Sequence, residues 1–406
     1  MSRLLGQMAS PTGIDRHIGL DWLRIGAFGL LILFHIGLYF APGPWLVKWP
    51  DTISWIAYPI AAIAPWRLMV LFAVSGYASA AMLSRASGTA AFFRDRTLRL
   101  LIPLVFGTLL IVAPQDWVRM QVSGDYRGGL LWFWTHQELS FRFFHEAFLP
   151  NWEHLWFLAY LWAYTALLAA TWAWWPGFRD WLGKTADWLA QGSRLITVPL
   201  VAIILTRAAI HHAGLEEVQR YNDLEGDVHF LPAFLFGFML AQHPAIWAAM
   251  ARTWRVALTG SLLCLVSIWL NVGADEARAS SLQTLSALVA ETAMAWLMLP
   301  VMFHAAARLL QRDHRWRAPI ARAVFPFYIV HQTVIVLAGY ALRDSGLGAP
   351  VVSGVMLAAT VLTGLIAYQA AARFGWIGWL LGVPPRSATS RPGIMARSGT
   401  VLPRQG

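Results

Sequence analysis

Apolar residues run along this chain in long unbroken blocks. Stretches without Asp, Glu, Lys or Arg cover 25–47, 68–84, 100–115, 154–178, 228–251, 256–274, 292–307, 323–342 and 345–372, and a shorter one, 195–206, continues through Arg207 to about residue 213. A helix needs about 20 mostly apolar residues to cross the hydrocarbon core of a bilayer. The pattern therefore predicts ten spanning helices, near 20–40, 65–83, 98–116, 153–175, 195–213, 229–243, 254–272, 286–307, 322–342 and 350–372. The stretch 52–64 is apolar but short, and reads as a re-entrant or interfacial lead-in to the second span. Membrane β-strands are excluded, because these runs are too long and too continuous for apolar–polar alternation. The expected fold is all-α and polytopic: a short cytoplasmic segment 1–19, one transmembrane domain 20–372, and a basic flexible tail 373–406.

Composition agrees. Of 406 residues, 58% are hydrophobic and only 13% charged, which excludes an ordinary water-soluble enzyme and excludes disorder. The formal charge of +10 would suggest nucleic-acid binding in a soluble protein. Here it reads as topology. With the N-terminus inside, the cytoplasmic segments carry 21 Lys/Arg and 5 Asp/Glu, against 8 and 14 in the external ones. Positive charge is retained on the cytoplasmic side, so both termini are expected inside and no nucleic-acid partner is expected. Residues 1–24 lack the compact apolar core of a cleavable signal peptide. One cysteine, Cys264, excludes an internal disulfide framework and a cysteine zinc site. No internal repeat of fixed period is found, nor a pair of matching interrupted helices in the two halves.

Ionisable side chains inside spans are costly and mark candidate sites. The first span, LDWLRIGAFGLLILFHIGLYF, holds Asp21, Arg24 and His35. At 100° per residue these fall within one stripe, with Arg24 and His35 about 16 Å apart along the axis. Asp21 and Arg24 also fit an interfacial i,i+3 pair. In the second span, Arg67 sits near the outer end, and Ser75-Gly76-Tyr77 makes a small-residue step for close helix or ligand approach. The segment FFRDRTLRLLIP projects Arg96 and Arg99 from one face, a spacing that suits phosphate oxygens and equally a positive-inside cluster. The fourth span opens NWEHLWFLAYLW, with Glu153 and His154 at the depth of Arg67; the ninth, FPFYIVHQ, places Tyr328, His331 and Gln332 at i, i+3, i+4. Glu291, His304 and His229 read as structural polar contacts. Phosphate-binding, dinucleotide and metalloprotease signatures are absent, as is a compact His-x4-Asp pair, and no ligand cluster with metal spacing stands out.

Taken in order, LDWLRIGAFGLLILFH, RLMVLFAVSGY, RDRTLRLLIP, HLWFLAYLW and FPFYIVHQ resemble the acyltransferase 3 family of integral membrane acyltransferases, and within it the glucan-biosynthesis protein C branch, which succinylates periplasmic glucans. The resemblance covers about 18–165 and returns near 322–340; helices five to eight carry no motif. It implies that His35 is the catalytic histidine of an Arg-x10-His pattern begun by Arg24, with Asp21 preceding it, and that Arg96 and Arg99 belong with the acyl-CoA donor. Arg67 and Trp156 fall on family-like positions, and Tyr77, Glu153, His154, Trp156 and His331 are taken as substrate-binding.

Together these give an expected membrane O-acyltransferase of a bacterial inner membrane. A donor acyl-CoA is held from the cytoplasm by Arg24, Arg96 and Arg99. His35 is the general base and Arg67 the oxyanion donor, with Asp21 grouped with them. The acceptor is a hydroxyl of a carbohydrate or other molecule at the external side, and no bound cofactor or metal is expected. On composition alone a proton-coupled transporter of a glycan or lipid-linked intermediate stays open.

Overall fold

The computed structural model describes residues 18–144, 147–213, 224–273 and 280–383; most of the expected N-terminal segment and tail lie outside them. All ten predicted stretches are helical: α1 Ile18–Phe40, α2 Ala57–Arg85, α3 Thr89–Phe106 with its continuation α4 Ala113–Ser123, α6 Trp156–Trp174, α8 Arg194–His212, α9 Leu224–Gln242, α10 Pro244–Asn271, α11 Ser281–Leu309, α12 Arg317–Leu342 and α13 Ala349–Arg373. Short helices α5 Leu130–His136, α7 Phe178–Leu189 and α14 Gly375–Leu380 fill connections, and one hairpin, β1 Arg142–Phe144 with β2 Ala147–Leu149, is the only sheet among the described residues. Eight helical stretches are long and apolar enough to cross a bilayer. A ninth arises if α7 and α8, bent by 107° at their break, count as one span, while the apolar part of α9, His229–Gln242, is shorter. The protein is an all-α multi-pass membrane protein.

Two details depart from expectation. The lead-in at 52–64 is no re-entrant segment: after a single 3-10 turn at Ser54–Ile56, helix runs unbroken from Ala57. At 29 residues, or about 44 Å, α2 outreaches the roughly 30 Å hydrocarbon core. The chain also stays packed past 372. The turn after α14 buries Leu381, and a Cβ on Gly382 would strike the Phe325 ring.

Packing follows from where side chains are small. A Cβ on Gly76 would lie 1.9 Å from the Phe234 carbonyl oxygen, and one on Gly237 would lie 1.7 Å from that of Ala73. The Ser-Gly-Tyr step is thus where α2 and α9 meet backbone to backbone. Both α2 and α12 pack against α1, which carries the polar stripe. α12 is the most enclosed span, whereas α10 and α13 turn most of their surface outward, where exposed Leu262, Leu263, Val266, Leu362 and Ile366 suit lipid.

Between α3 and α4 the helix widens into a π-turn, Gly107–Val112, four residues beyond Pro103 (a residue that cannot donate the next helical bond). Carbonyls released by the wider turn find new donors: Thr333 Oγ1 to Ile111 O at 2.7 Å and Trp134 Nε1 to Leu109 O at 2.8 Å.

Candidate active site

α1 and α12 are clamped together where the described chain begins. Arg317 donates to Asp21 and to Asp313, the latter at 2.7 and 3.1 Å. Arg24 donates to Ala321 O at 2.6 Å and Trp22 Nε1 to Arg312 O at 3.1 Å. This is the terminal end of the bundle. His35 lies fourteen residues beyond Asp21, about 21 Å along the helix, so the structure does not bring Asp21 to the imidazole it was grouped with.

At the opposite end three histidines converge from three elements. The His35 and His331 ring centres are 5.1 Å apart, and those of His331 and His154 5.0 Å. Phe28 and Tyr328 close the wall beside His331, at 5.6 and 5.9 Å. All three imidazoles are buried. Their hydrogen bonds fix which nitrogen carries the proton, because a carbonyl only accepts. His35 Nδ1 faces Leu31 O at 2.9 Å and His331 Nδ1 faces Tyr328 O at 2.7 Å. Each therefore keeps its proton on Nδ1 and leaves Nε2 as its acceptor nitrogen. The His331 Nε2 is buried with no partner among the described residues. His154 has the opposite tautomer: Nε2 donates to Ile329 O at 3.2 Å, and Nδ1 accepts from Gln115 at 3.5 Å.

A buried polar layer holds these rings. Gln115 donates to Thr333 Oγ1 at 2.6 Å and accepts from Gln332 at 2.9 Å, and Tyr328 OH donates to His154 O at 2.5 Å. Arg67 completes the chamber. Its guanidinium carbon lies 3.4 Å from the centre of the Phe34 ring, Nη1 donates to Ala64 O at 2.7 Å, and Nε is buried without a partner among the described residues.

The other expected residues lie elsewhere. Glu153 takes a positive φ of 40° and turns from the histidines to Arg119 at 2.8 Å, while Arg119 also pairs with Asp116. Glu138 is buried beside this group. Burial pushes its carboxyl up to about 7; Arg119 and the Asn151 N–H pull it down, and Glu153 pushes further up. Tyr77 lies ten residues past Arg67 on α2, about 15 Å away along the axis. Trp156 packs with Phe72 and Phe230 at 6.3 and 5.6 Å, in an aromatic layer below the chamber. Arg96 sits near the terminal end, with Nη1 against Met82 Sδ at 3.9 Å and Nε and Nη2 buried without partners among the described residues; Arg99 beside it is exposed. Met82 is fifteen residues along α2 from Arg67, so the Arg96 guanidinium and the histidine chamber are separated by about 22 Å of helix. His304 stacks on Trp254 at 5.1 Å, a structural contact. No three His, Cys, Asp or Glu among the described residues could hold a metal ion.

The sequence reading missed Gln115, Thr333, Arg119 and Trp45, whose ring centre is 6.4 Å from that of His35. Gln115 and Asp116 were visible as polar residues in an apolar run; Trp45 gave no signal, since its place depends on how a loop folds back.

Residues 17–369 match the sequence profile of the acyltransferase 3 family, described as an acyltransferase domain. The chain is 22% identical over 342 residues to the glucans biosynthesis protein C of Salmonella gallinarum, covering 81% of this chain and 85% of that protein. The protein of the same name from Salmonella heidelberg is 22% identical over 345 residues, with the same coverage. No solved structure matches.

Proposed function

The chain belongs to the acyltransferase 3 family of membrane acyltransferases, and on that premise we propose that it moves an acetyl- or succinyl-class acyl group from cytoplasmic acyl-CoA to a hydroxyl of a carbohydrate at the external side of a bacterial inner membrane. Membership decides for an enzyme over a transporter. The observation that carries the reading is a pair of polar sites about 22 Å apart as measured along α2: Arg96, with two buried nitrogens uncommitted among the described residues, near one end, and the acceptor Nε2 atoms of His35 and His331 near the other.

The positive-inside bias puts Arg96 and Arg99 in the cytoplasm. There the spare donors of Arg96 meet phosphate oxygens of the donor, with Arg99 as a second, exposed cation and Arg24 farther along the same end. An extended pantetheine arm spans the intervening depth. At the chamber, His35 Nε2 takes the acceptor hydroxyl proton, and that oxygen bonds to the thioester carbonyl carbon. The carbonyl becomes an oxyanion facing the Arg67 guanidinium. Collapse breaks the C–S bond, and the thiolate recovers the proton from His35 Nε2. The products are an ester and free thiol. His331 Nε2 accepts from a neighbouring hydroxyl of the acceptor, and His154, satisfied on both nitrogens, keeps His331 in place.

The acceptor class draws on the name of the Salmonella relatives and on a chamber with two acceptor nitrogens. Incubating purified protein with radiolabelled acetyl- or succinyl-CoA and a glucan oligosaccharide tests it. Label is expected in the glycan; label found in lipid or only in free acid would overturn the acceptor class.

A further inference from the structure

The connection between α1 and α2 is a strap folded back over the histidine chamber. Lys48 Nζ caps the last carbonyls of α1, donating to Leu38 O at 2.5 Å and to Ala41 O. Trp49 N–H donates to Tyr39 O at 2.9 Å and Ile53 N–H to Phe40 O at 2.8 Å, and Val47 is fully buried. The strap begins Ala41-Pro42-Gly43-Pro44-Trp45. Two prolines hold φ on either side of Gly43, whose φ of +94° lies where L side chains are strained. A stiff, three-point-fastened loop thus presents one large side chain.

That side chain is Trp45, half-buried, with its indole tilted 32° from the His35 ring at a centre distance of 6.4 Å. One face of Phe34 is already taken. Phe34 meets His35 edge-on at 5.5 Å while its face is covered by Arg67, and Phe28 stands edge-on to His331. Trp45 also enters from the end of α1 opposite Arg96, away from the donor side. Among the described residues nothing accepts from its indole N–H. An apolar face with a donor at its rim, beside an imidazole acceptor, suits a ligand with a flat C–H face edged by hydroxyls.

We propose that Trp45 is the platform of the acceptor subsite, on which a pyranose ring lies with one hydroxyl directed at His35 Nε2. This rests on the carbohydrate reading above, and it adds the residue that selects a sugar ring over a smaller alcohol. A tryptophan anchored in the lipid interface would instead point outward from the bundle; the fastened strap turns this one inward.

The test uses the purified full-length protein with succinyl-CoA as donor and two acceptors, a glucan oligosaccharide and glycerol. Trp45→Ala is expected to raise KM for the oligosaccharide about tenfold, equivalent to about 1.4 kcal/mol, and Trp45→Phe to recover most of it. The donor KM and kcat/KM for glycerol should stay within about twofold, which also establishes that the variant is folded. Equal losses with both acceptors, or a changed donor KM, would overturn the assignment, as would an unchanged oligosaccharide KM. If the wild-type protein acylates no glycan, the carbohydrate reading itself fails; if it does and Trp45→Ala is indistinguishable from it, only the platform fails.

Discussion

At the scale of residues, reactivity is set by which nitrogen is left free. The Leu31 carbonyl holds the His35 proton on Nδ1, leaving a base at Nε2 without a carboxylate partner among the described residues. A positioned base typically contributes 10²–10⁴ in rate, so His35→Ala should lower kcat by about that range while the protein remains monodisperse in detergent; retained transfer would remove His35 from the chemistry. Arg96, with two buried guanidinium nitrogens uncommitted among the described residues, should act on the donor. Arg96→Ala is expected to raise the acyl-CoA KM at least tenfold with kcat little changed, a charge-assisted bond being worth roughly 1.5–3 kcal/mol. A lowered kcat at constant KM would refute it. The sequence disclosed His35, Arg24 and Asp21 because helical phase is local. It disclosed His154 and His331 only as misplaced polarity. That their rings stand within about 5 Å of one another depends on how three elements pack, which no local pattern encodes.

Elements were read well where long apolar runs leave no choice, and poorly where geometry is irregular. The helices at all ten apolar stretches follow from composition, although only eight of them are clearly long and apolar enough to cross a bilayer; the π-turn at Gly107–Val112 does not follow, since widening by one residue leaves the apolar pattern intact. The α2–α9 contact is the element on which the bundle most depends sterically. Gly237→Leu would force a side chain into the Ala73 carbonyl, and should cost more than about 4 kcal/mol, seen as loss of folded protein in thermal unfolding in detergent; an unchanged midpoint would contradict the packing. The segment 124–152, packed through Phe133, Met120 and Leu149, is expected to respond to pH through Glu138. Its carboxyl is raised from 4.5 to about 7, so the folded state binds the proton more tightly than the unfolded one. Stability is then greatest below about 4.5 and falls as pH rises toward 7. Protection factors in 124–152, taken relative to the intrinsic exchange rate at each pH, should be higher at pH 5 than at pH 8, and Glu138→Gln should flatten the difference; an equal difference in that variant would implicate other groups.

For the whole molecule, the two polar sites lie at opposite ends of a bundle otherwise clad in apolar side chains. Donor and acceptor should therefore approach from different sides of the membrane. In proteoliposomes with one orientation, acyl-CoA that cannot cross the bilayer should support transfer only when added on the side of the termini, with the glycan supplied on the other. Transfer with both substrates confined to one side would contradict the arrangement.

The Asp21–Arg317–Asp313 clamp joins α1 and α12, the two helices that carry His35 and His331. The clamp is the pivot of a pair of tongs whose jaws are the two imidazoles, some 21 Å up the handles. A tilt of roughly 3° at the pivot moves a jaw by about 1 Å, a misplacement that can cost on the order of 10²-fold in rate. On this geometry Asp21→Asn is expected to lower kcat although Asp21 never meets the substrate, and an anion that drew Arg317 away is expected to slacken the grip without entering the chamber; an unchanged kcat in the variant would contradict the lever.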